Sequence, residues 1–145
     1  MVSATIDTKQ ILKALQSLPK NIQKNVMTGA VRAGANVVKD EAKARVRVSK
    51  DGQKYGKYPH KAGNLKASIG VTKRKSPKGV FIFSVSPRKG TRNDGFYGRF
   101  IELGTSKMSA KPFLRPAAEA SVNKTLEAAK DYMAQRIPSE VAKAR

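Results

Sequence analysis

Residues 96–120 read FYGRFIELGTSKMSAKPFLRPAAEA and hold the densest apolar and aromatic cluster of the chain. Five apolar residues recur there at helical spacing: Phe96, Tyr97, Phe100, Ile101 and Leu103. Gly104 follows as a residue that commonly ends a helix. Pro116 is typical of the first turn of the next helix. The stretch therefore predicts a short helix, a surface turn and a second helix.

Glu102 is the acidic residue inside this apolar cluster. A buried acid can be tuned for catalysis. It can equally be a structural partner of Arg99 or Arg115, or an acceptor for backbone N–H groups in the GTS turn. Because no second catalytic group accompanies it in the sequence, we expect the structural role.

Two long helices are predicted, over residues 20–47 and 116–137. The first carries Gly29 and Gly34 along its apolar stripe, and we interpret both glycines as positions where another backbone approaches closely. Pro138 is expected to end or bend the second helix, with a polar tail after it. Shorter signals precede them: Ile11, Leu12, Leu15 and Leu18 share a helical face, with Thr8 as the expected N-cap.

The remaining regular structure is predicted to be a hairpin over residues 69–86 around the turn SPKG. Its second strand is apolar on both faces through Ile82, which favours a covered strand. GNLKASI before it predicts a single helical turn, and SATID near the N-terminus is a candidate edge strand. Together these signals predict one α+β domain over residues 1–145, with a small antiparallel sheet packed against two long helices.

The composition of the chain excludes several classes of function. The chain has 145 residues, no Cys and one His, His60, which lies in a loop and is expected to be solvated. A zinc site cannot be assembled from these residues, and a lone loop His is a poor candidate for a general base. No apolar run reaches the length of a membrane span, and no secretory signal is visible. We expect a non-enzymatic protein of the cytoplasm without cofactor or metal.

Positive charge is concentrated in the middle of the chain. The formal net charge is +20, and residues 45–92 hold fourteen of the 30 Lys and Arg residues but only one of the 10 acids. Residues 48–62, rich in Gly and Lys, predict a long loop. Such a region contacts polyanions or acidic protein surfaces, or only aids solubility. The candidate contacts with DNA or an acidic partner are Arg45, Arg47, Lys50, Lys54, Tyr55, Lys57, Tyr58 and Lys61.

Three segments together resemble a known family. YGRFIELGT followed by KPFLRPA, with GNLKASI upstream, is similar to the tail-component family of long-tailed phages. The resemblance implies a structural protein with no catalytic residues. It would complete the tail end or neck and help join the tail to the head. Its implied partners are other copies in a ring, and tail-terminator, tail-tube or head-connector proteins. It would assemble in the host cytoplasm and remain in the virion.

Two functions therefore lead. For a tail-completion subunit, an apolar patch rimmed by cations is a plausible interface, and its expected residues are Phe96, Tyr97, Phe100, Ile101, Glu102, Phe113, Leu114 and Arg115. The alternative is a small basic protein that binds DNA nonspecifically. The departures from the family, a long basic loop and the extreme charge, leave contact with the DNA end open. An enzyme or nuclease is a distant third candidate.

Overall fold

The computed structural model describes residues 7–48, 53–55, 58–90 and 92–143. The helices are α1 (Thr8–Gln16), α2 (Lys20–Arg45), α3 (Asn64–Ser68), α4 (Gly98–Leu103), α5 (Leu114–Ala120) and α6 (Val122–Lys143). The strands are β1 (Gln53–Tyr55), β2 (Tyr58–His60), β3 (Ile69–Lys73) and β4 (Phe83–Pro87). They form two antiparallel pairs, β1 with β2 and β3 with β4.

Helix α2 links the β3–β4 pair to the C-terminal helices. It contacts α6 along its length and also contacts α5 and both strands β3 and β4, while α1 packs against α6. The fold is α+β, as the sequence predicts. The candidate edge strand near the N-terminus lies mostly in residues 1–6, outside the described part of the chain.

The contact between α2 and α6 depends on two glycines. A Cβ at Gly29 would overlap the ring of Tyr132, and a Cβ at Gly34 would lie 2.8 Å from Cγ2 of Thr125 and 3.2 Å from its carbonyl oxygen. Both Tyr132 and Thr125 belong to α6. Both glycines are therefore contact positions, as predicted, but the expected approach of another backbone is found at Gly34, whereas Gly29 makes room for the Tyr132 side chain.

The buried apolar residues form two clusters. The first joins the C-terminal end of α2 to the sheet and to α5, and contains Ala42, Val46, Leu65, Ile69, Tyr97, Phe113 and Ala117. The second joins α1 to both long helices, and contains Ile11, Leu15, Leu18, Val26 and Ile137. Leu12, predicted on the same face of α1, is 49% exposed. The N-cap of α1 is Asp7 rather than Thr8, because the Asp7 carboxylate accepts the N–H of Lys9.

The β3–β4 hairpin forms with the register Val71 opposite Val85. Strand β4 begins at Phe83, later than predicted, and residues 74–82 make the connection. Val80 and Ile82 are 47% and 43% exposed. The expectation that the second strand is covered through Ile82 is therefore wrong: the Ile82 carbonyl still accepts the N–H of Arg74 at 2.9 Å, but the Ile82 side chain is exposed.

The region predicted as a loop over 48–62 contains the β1–β2 hairpin. Its register places Gln53 opposite His60 and Tyr55 opposite Tyr58. Aromatic residues are enriched in strands, so Tyr55 and Tyr58 are a signal for this hairpin. The Gly and Lys content of the segment, which is typical of a loop, outweighs that signal in the sequence. Helix α3 leading directly into β3 confirms the interpretation of GNLKASI.

The last predicted helix is two helices and is longer than expected. It breaks at Ser121, whose buried hydroxyl donates to the carbonyl of Ala117 at 2.6 Å, an arrangement that bends helices. Pro138 lies inside α6 and does not end it. Ile137 and Val141 pack in the second cluster, and Glu140 pairs with Arg136 at 2.8 Å. This packing keeps the chain helical through Pro138 to Lys143.

Glu102 joins α4 to α5. Its carboxylate accepts the backbone N–H groups of Phe113 at 2.7 Å, Leu114 at 2.9 Å and Arg115 at 3.0 Å. The first N–H groups of a helix have no partner within the helix, and a carboxylate is favoured at that end by the helix dipole. Pro116, in the same turn, has no N–H to satisfy. The structural role of Glu102 is confirmed, but its partners are at the start of α5 and not in the GTS turn.

These bonds also shift the titration of Glu102. Burial of the carboxyl acts to raise its pKa, but the three backbone N–H groups and the charge of Arg115 outweigh burial and hold the pKa below its ordinary value. The folded structure therefore stabilises the ionised form of the Glu102 carboxyl.

The first prediction concerns Gly34. Helix propensity alone favours Gly34→Val by a few tenths of a kcal/mol, whereas the Thr125 backbone leaves no room for the new side chain. We expect the free energy of unfolding, measured in urea, to fall by about 1–3 kcal/mol. Ala44→Val, at an exposed position of the same helix, is the control and should change it by less than about 1 kcal/mol. Equal effects would mean that the helices do not meet closely at Gly34.

The second prediction concerns Glu102→Gln. The amide keeps one acceptor oxygen but loses the charge and the second acceptor, so we expect a loss of about 1–2 kcal/mol at pH 7 by urea unfolding. Because the folded-state pKa is below the unfolded value of about 4.3, the contribution of Glu102 is complete above that pH. It is lost as pH falls toward the lowered folded value.

The difference between wild type and Glu102→Gln should therefore shrink below about pH 4.3. Asp94, whose pKa is also lowered, remains in both proteins and does not affect the comparison. Glu119→Gln removes the same charge from an exposed position of α5 and serves as the control. A Glu102→Gln effect no larger than that of Glu119→Gln would contradict the capping role.

Candidate functional site

The residues predicted as a subunit interface fall into three groups in the structure. Tyr97 and Phe113 are 4% and 2% exposed and belong to the first cluster. Phe96, Ile101 and Leu114 are partly buried and pack against the same cluster. Glu102 is half-buried at the α4–α5 joint, and Phe100 and Arg115 are exposed. Most of the stretch is thus internal support, and only part of it reaches the surface.

Helix α4 presents two apolar side chains to the surface. Phe100 is 39% exposed and Leu103 is 71% exposed. Three residues apart on a helix, they are neighbours on one face. The guanidinium of Arg99 lies 5.7 Å from the centroid of the Phe100 ring, which restrains the ring by a cation–π contact. The helix begins only at Gly98, so Phe96 and Tyr97 are not on this face.

A groove of about 690 Å³ lies beside α4, between the C-terminal end of α2, helix α3 and residues 108–116. Its apolar lining includes Val46, Leu65, Tyr97, Ile101, Met108 and Phe113. Five cationic residues also line it: Arg45, Arg47, Lys61, Lys66 and Lys111. Among the described residues that line this basic groove, none is Asp or Glu.

The wall of the basic groove is built on Asn64. Its side-chain amide is buried and donates to the carbonyl oxygen of Asp94 at 2.7 Å and to the hydroxyl of Tyr97 at 3.1 Å. The Asp94 carboxylate in turn accepts the N–H groups of Gly90 and Phe96, each at 2.9 Å. This network fixes α3 and the segment before α4 relative to each other.

Those bonds explain the titration of Asp94. The hydrogen bonds from Gly90 and then Phe96 are the largest influences and lower its pKa, although some desolvation opposes them. The nearby side chains of His60 and Lys89 lower the pKa of Asp94 a little further. The Asp94 carboxylate is thus bound to backbone groups as an ionised acceptor.

His60 is not the solvated loop residue that the sequence predicts. It ends β2, is half-buried, and its ring centroid lies 4.9 Å from that of Tyr97 and 5.9 Å from that of Phe96. Its Nδ1 is 3.4 Å from the side-chain amide nitrogen of Asn64. His60 therefore packs the β1–β2 hairpin onto the wall of the basic groove.

The predicted contacts with DNA or an acidic partner are only partly brought together. Arg47 and Lys61 are exposed and line the basic groove, and Arg45 does so while pairing with Glu41 at 2.9 Å. Lys54, Tyr55 and Tyr58 occupy strands β1 and β2. Lys50 and Lys57 lie outside the described residues.

Sequence reasoning did not show which residues of this site come together. Lys66 and Lys111 are far from Arg47 along the chain, yet all three line one groove. Asn64 and Asp94 carried no motif of their own. Only GNLKASI marked the segment that contains Asn64 as unusual.

Other kinds of site find little support in the part of the chain that the structure describes. It contains no group of three or more His, Asp or Glu residues arranged to hold a metal. None of its helices is long and apolar enough to cross a membrane.

Comparison with known proteins identifies one family. Residues 9–104 match the model of the family described as "Bacteriophage HK97-gp10, putative tail-component". No curated protein and no solved structure matches the chain significantly. The match covers α1 through α4 and ends at the glycine that terminates α4. The chain belongs to the HK97 gp10-like family of bacteriophage tail components.

Proposed function

We propose that the chain is a structural subunit of the phage neck or tail end. The subunit completes the tail and helps join it to the head, and it acts as a ring of identical copies. The observation that carries this proposal is the exposed apolar face of α4. Phe100 and Leu103 are outward-facing residues of the segment 96–120, which contains four of the nine aromatic side chains. We expect a neighbouring subunit to cover them.

The support behind this face is rigid. Ile101, from the same helix, packs into the first cluster, and Glu102 ties α4 to the start of α5. Gly104 ends α4 with a positive φ of 76°, and its N–H donates to the carbonyl of Phe100 at 2.8 Å. An interface residue held by its scaffold loses little conformational entropy on association. Arg99 and Arg115 supply the polar rim typical of subunit contacts.

The charge of the chain sets how such a ring responds to salt. Copies with a formal charge of +20 repel each other. Salt screens that repulsion and leaves the apolar contact in place. We therefore expect self-association to strengthen as ionic strength rises. Partners that carry negative charge, such as other neck proteins or the DNA end, would show the opposite dependence.

Nonspecific DNA binding is the alternative function, and the concentration of charge in residues 45–92 favours it. The basic tip of the β3–β4 connection carries exposed Arg74, Lys75 and Lys78. Phosphate contacts made by such side chains release counterions. For six or more contacts, affinity falls by about three to five decades between 50 and 200 mM salt.

The third prediction separates the two functions. Molar mass is measured by light scattering during size exclusion at low and high salt, with and without a short DNA duplex. The tail-completion proposal predicts an oligomer that is favoured by high salt without DNA. A chain that stays monomeric at all salt concentrations and forms only a salt-labile DNA complex would favour the alternative and contradict the ring.

The fourth prediction locates the interface. The pair Phe100→Asp and Leu103→Asp should reduce the oligomer to monomer, because both side chains would be desolvated in the contact. As both positions are exposed, circular dichroism and melting temperature should change little.

The matched control is the pair Val122→Asp and Leu126→Asp. These residues are 54% and 57% exposed and are neighbours on α6, so the pair places the same charges on a different apolar surface. It should leave the oligomer intact. If the α6 pair dissociates the oligomer and the α4 pair does not, the assignment of the interface to α4 is wrong.

A further inference from the structure

We propose that the basic groove binds an acidic segment of another protein, one that inserts apolar side chains between its cations. The inference goes beyond the proposed function, because it concerns a different surface and would stand even if the chain formed no ring. It rests on the combination of an apolar floor with a lining whose charged residues, in the described part of the chain, are all basic.

The charges of the groove are arranged for an anion. Arg47, Lys61, Lys66 and Lys111 are exposed and come from four separate segments that the fold places around one recess. The fifth cation, Arg45, is held by Glu41 one turn earlier in α2. The nearest acid of α4, Glu102, already accepts three backbone N–H groups of α5. No carboxylate of the described lining is therefore available to neutralise the exposed cations.

The floor of the groove distinguishes a protein segment from a nucleic acid. Among the apolar lining residues, Ile101 and Met108 are only partly buried and offer apolar surface, and Met adapts readily to varied side chains. A recess of about 690 Å³ has the size that holds a few side chains. Phosphates on the outside of a duplex gain nothing from an apolar floor. Phosphates need only exposed basic side chains, such as those of Lys75 and Lys78 at the hairpin tip.

Another copy of this chain is a poor source of the acidic segment. The chain has only 10 acids against 30 bases. Glu41 and Glu140 already form ion pairs, Glu102 caps α5, and Asp94 accepts backbone N–H groups. The occupant is therefore an acidic region of a different protein.

The groove is also pre-formed. Its floor residues Val46, Leu65, Tyr97 and Phe113 are buried core residues, and its wall is fixed by the hydrogen bonds of Asn64. Little ordering is needed on binding, and pre-organisation of this kind raises affinity.

The test uses a short fluorescein-labelled peptide in which Glu alternates with Leu and Phe, titrated with the full chain at physiological salt and followed by fluorescence polarisation. A matched peptide carries Ser in place of every Leu and Phe. We expect the first peptide to bind at least about tenfold more tightly than the second, because only the first can bury apolar side chains.

Two variants locate the site. Lys61→Glu with Lys111→Glu reverses two charges of the groove and should weaken binding of the apolar peptide by about tenfold or more. Lys75→Glu with Lys78→Glu makes the same change in net charge at the hairpin tip and should weaken it by less than about threefold. Circular dichroism verifies that both variants are folded, as all four positions are exposed.

Several outcomes would overturn the proposal. Equal affinity for the two peptides would show that the apolar floor is unused. Equal losses from the two variant pairs would show that only net charge matters. A labelled DNA duplex is titrated in parallel. If the peptide with Leu and Phe does not bind wild type, and Lys61→Glu with Lys111→Glu weakens binding of the duplex, the groove is a nucleic-acid site.

Discussion

The three hydrogen bonds that the Glu102 carboxylate accepts are the interaction on which the positions of α4, α5 and the basic groove depend. The carboxylate comes from α4 and accepts three consecutive N–H groups at the start of α5, so one side chain sets where α5 begins. Phe113, whose N–H is one of the three, is 2% exposed and lies in the first cluster. The same joint therefore positions the core, the floor of the basic groove and the exposed face of α4.

The second constraint is the close approach of α2 and α6 at Gly29 and Gly34. It forms the long support of the molecule, to which α1 is attached by the second cluster. The two constraints have different roles in the fold. The glycine contact stabilises the pair of long helices, whereas the Glu102 joint positions the two surfaces that we propose as binding sites. This division agrees with a structural component of a phage tail.

Much of this fold could be predicted from the sequence. The helical periodicity of α2, the glycines on its stripe and the hairpin signals are local, and each was interpreted correctly in kind. The errors have both distant and local causes. Pro138 stays helical because Ile137 and Val141 pack against the second cluster. The helix predicted from Pro116 breaks at Ser121, whose hydroxyl bonds to Ala117. The groove was invisible because Arg47, Lys66 and Lys111 meet only in three dimensions.

The central claim is that one carboxylate holds the α4–α5 joint. Amide hydrogen exchange at Phe113, Leu114 and Arg115, compared between wild type and Glu102→Gln at neutral pH, tests it most directly. We predict slow exchange at these three amides in wild type and much faster exchange in the variant, with the amides at the centre of α2 unchanged. Fast exchange at all three amides in wild type, or unchanged protection in the variant, would contradict the account.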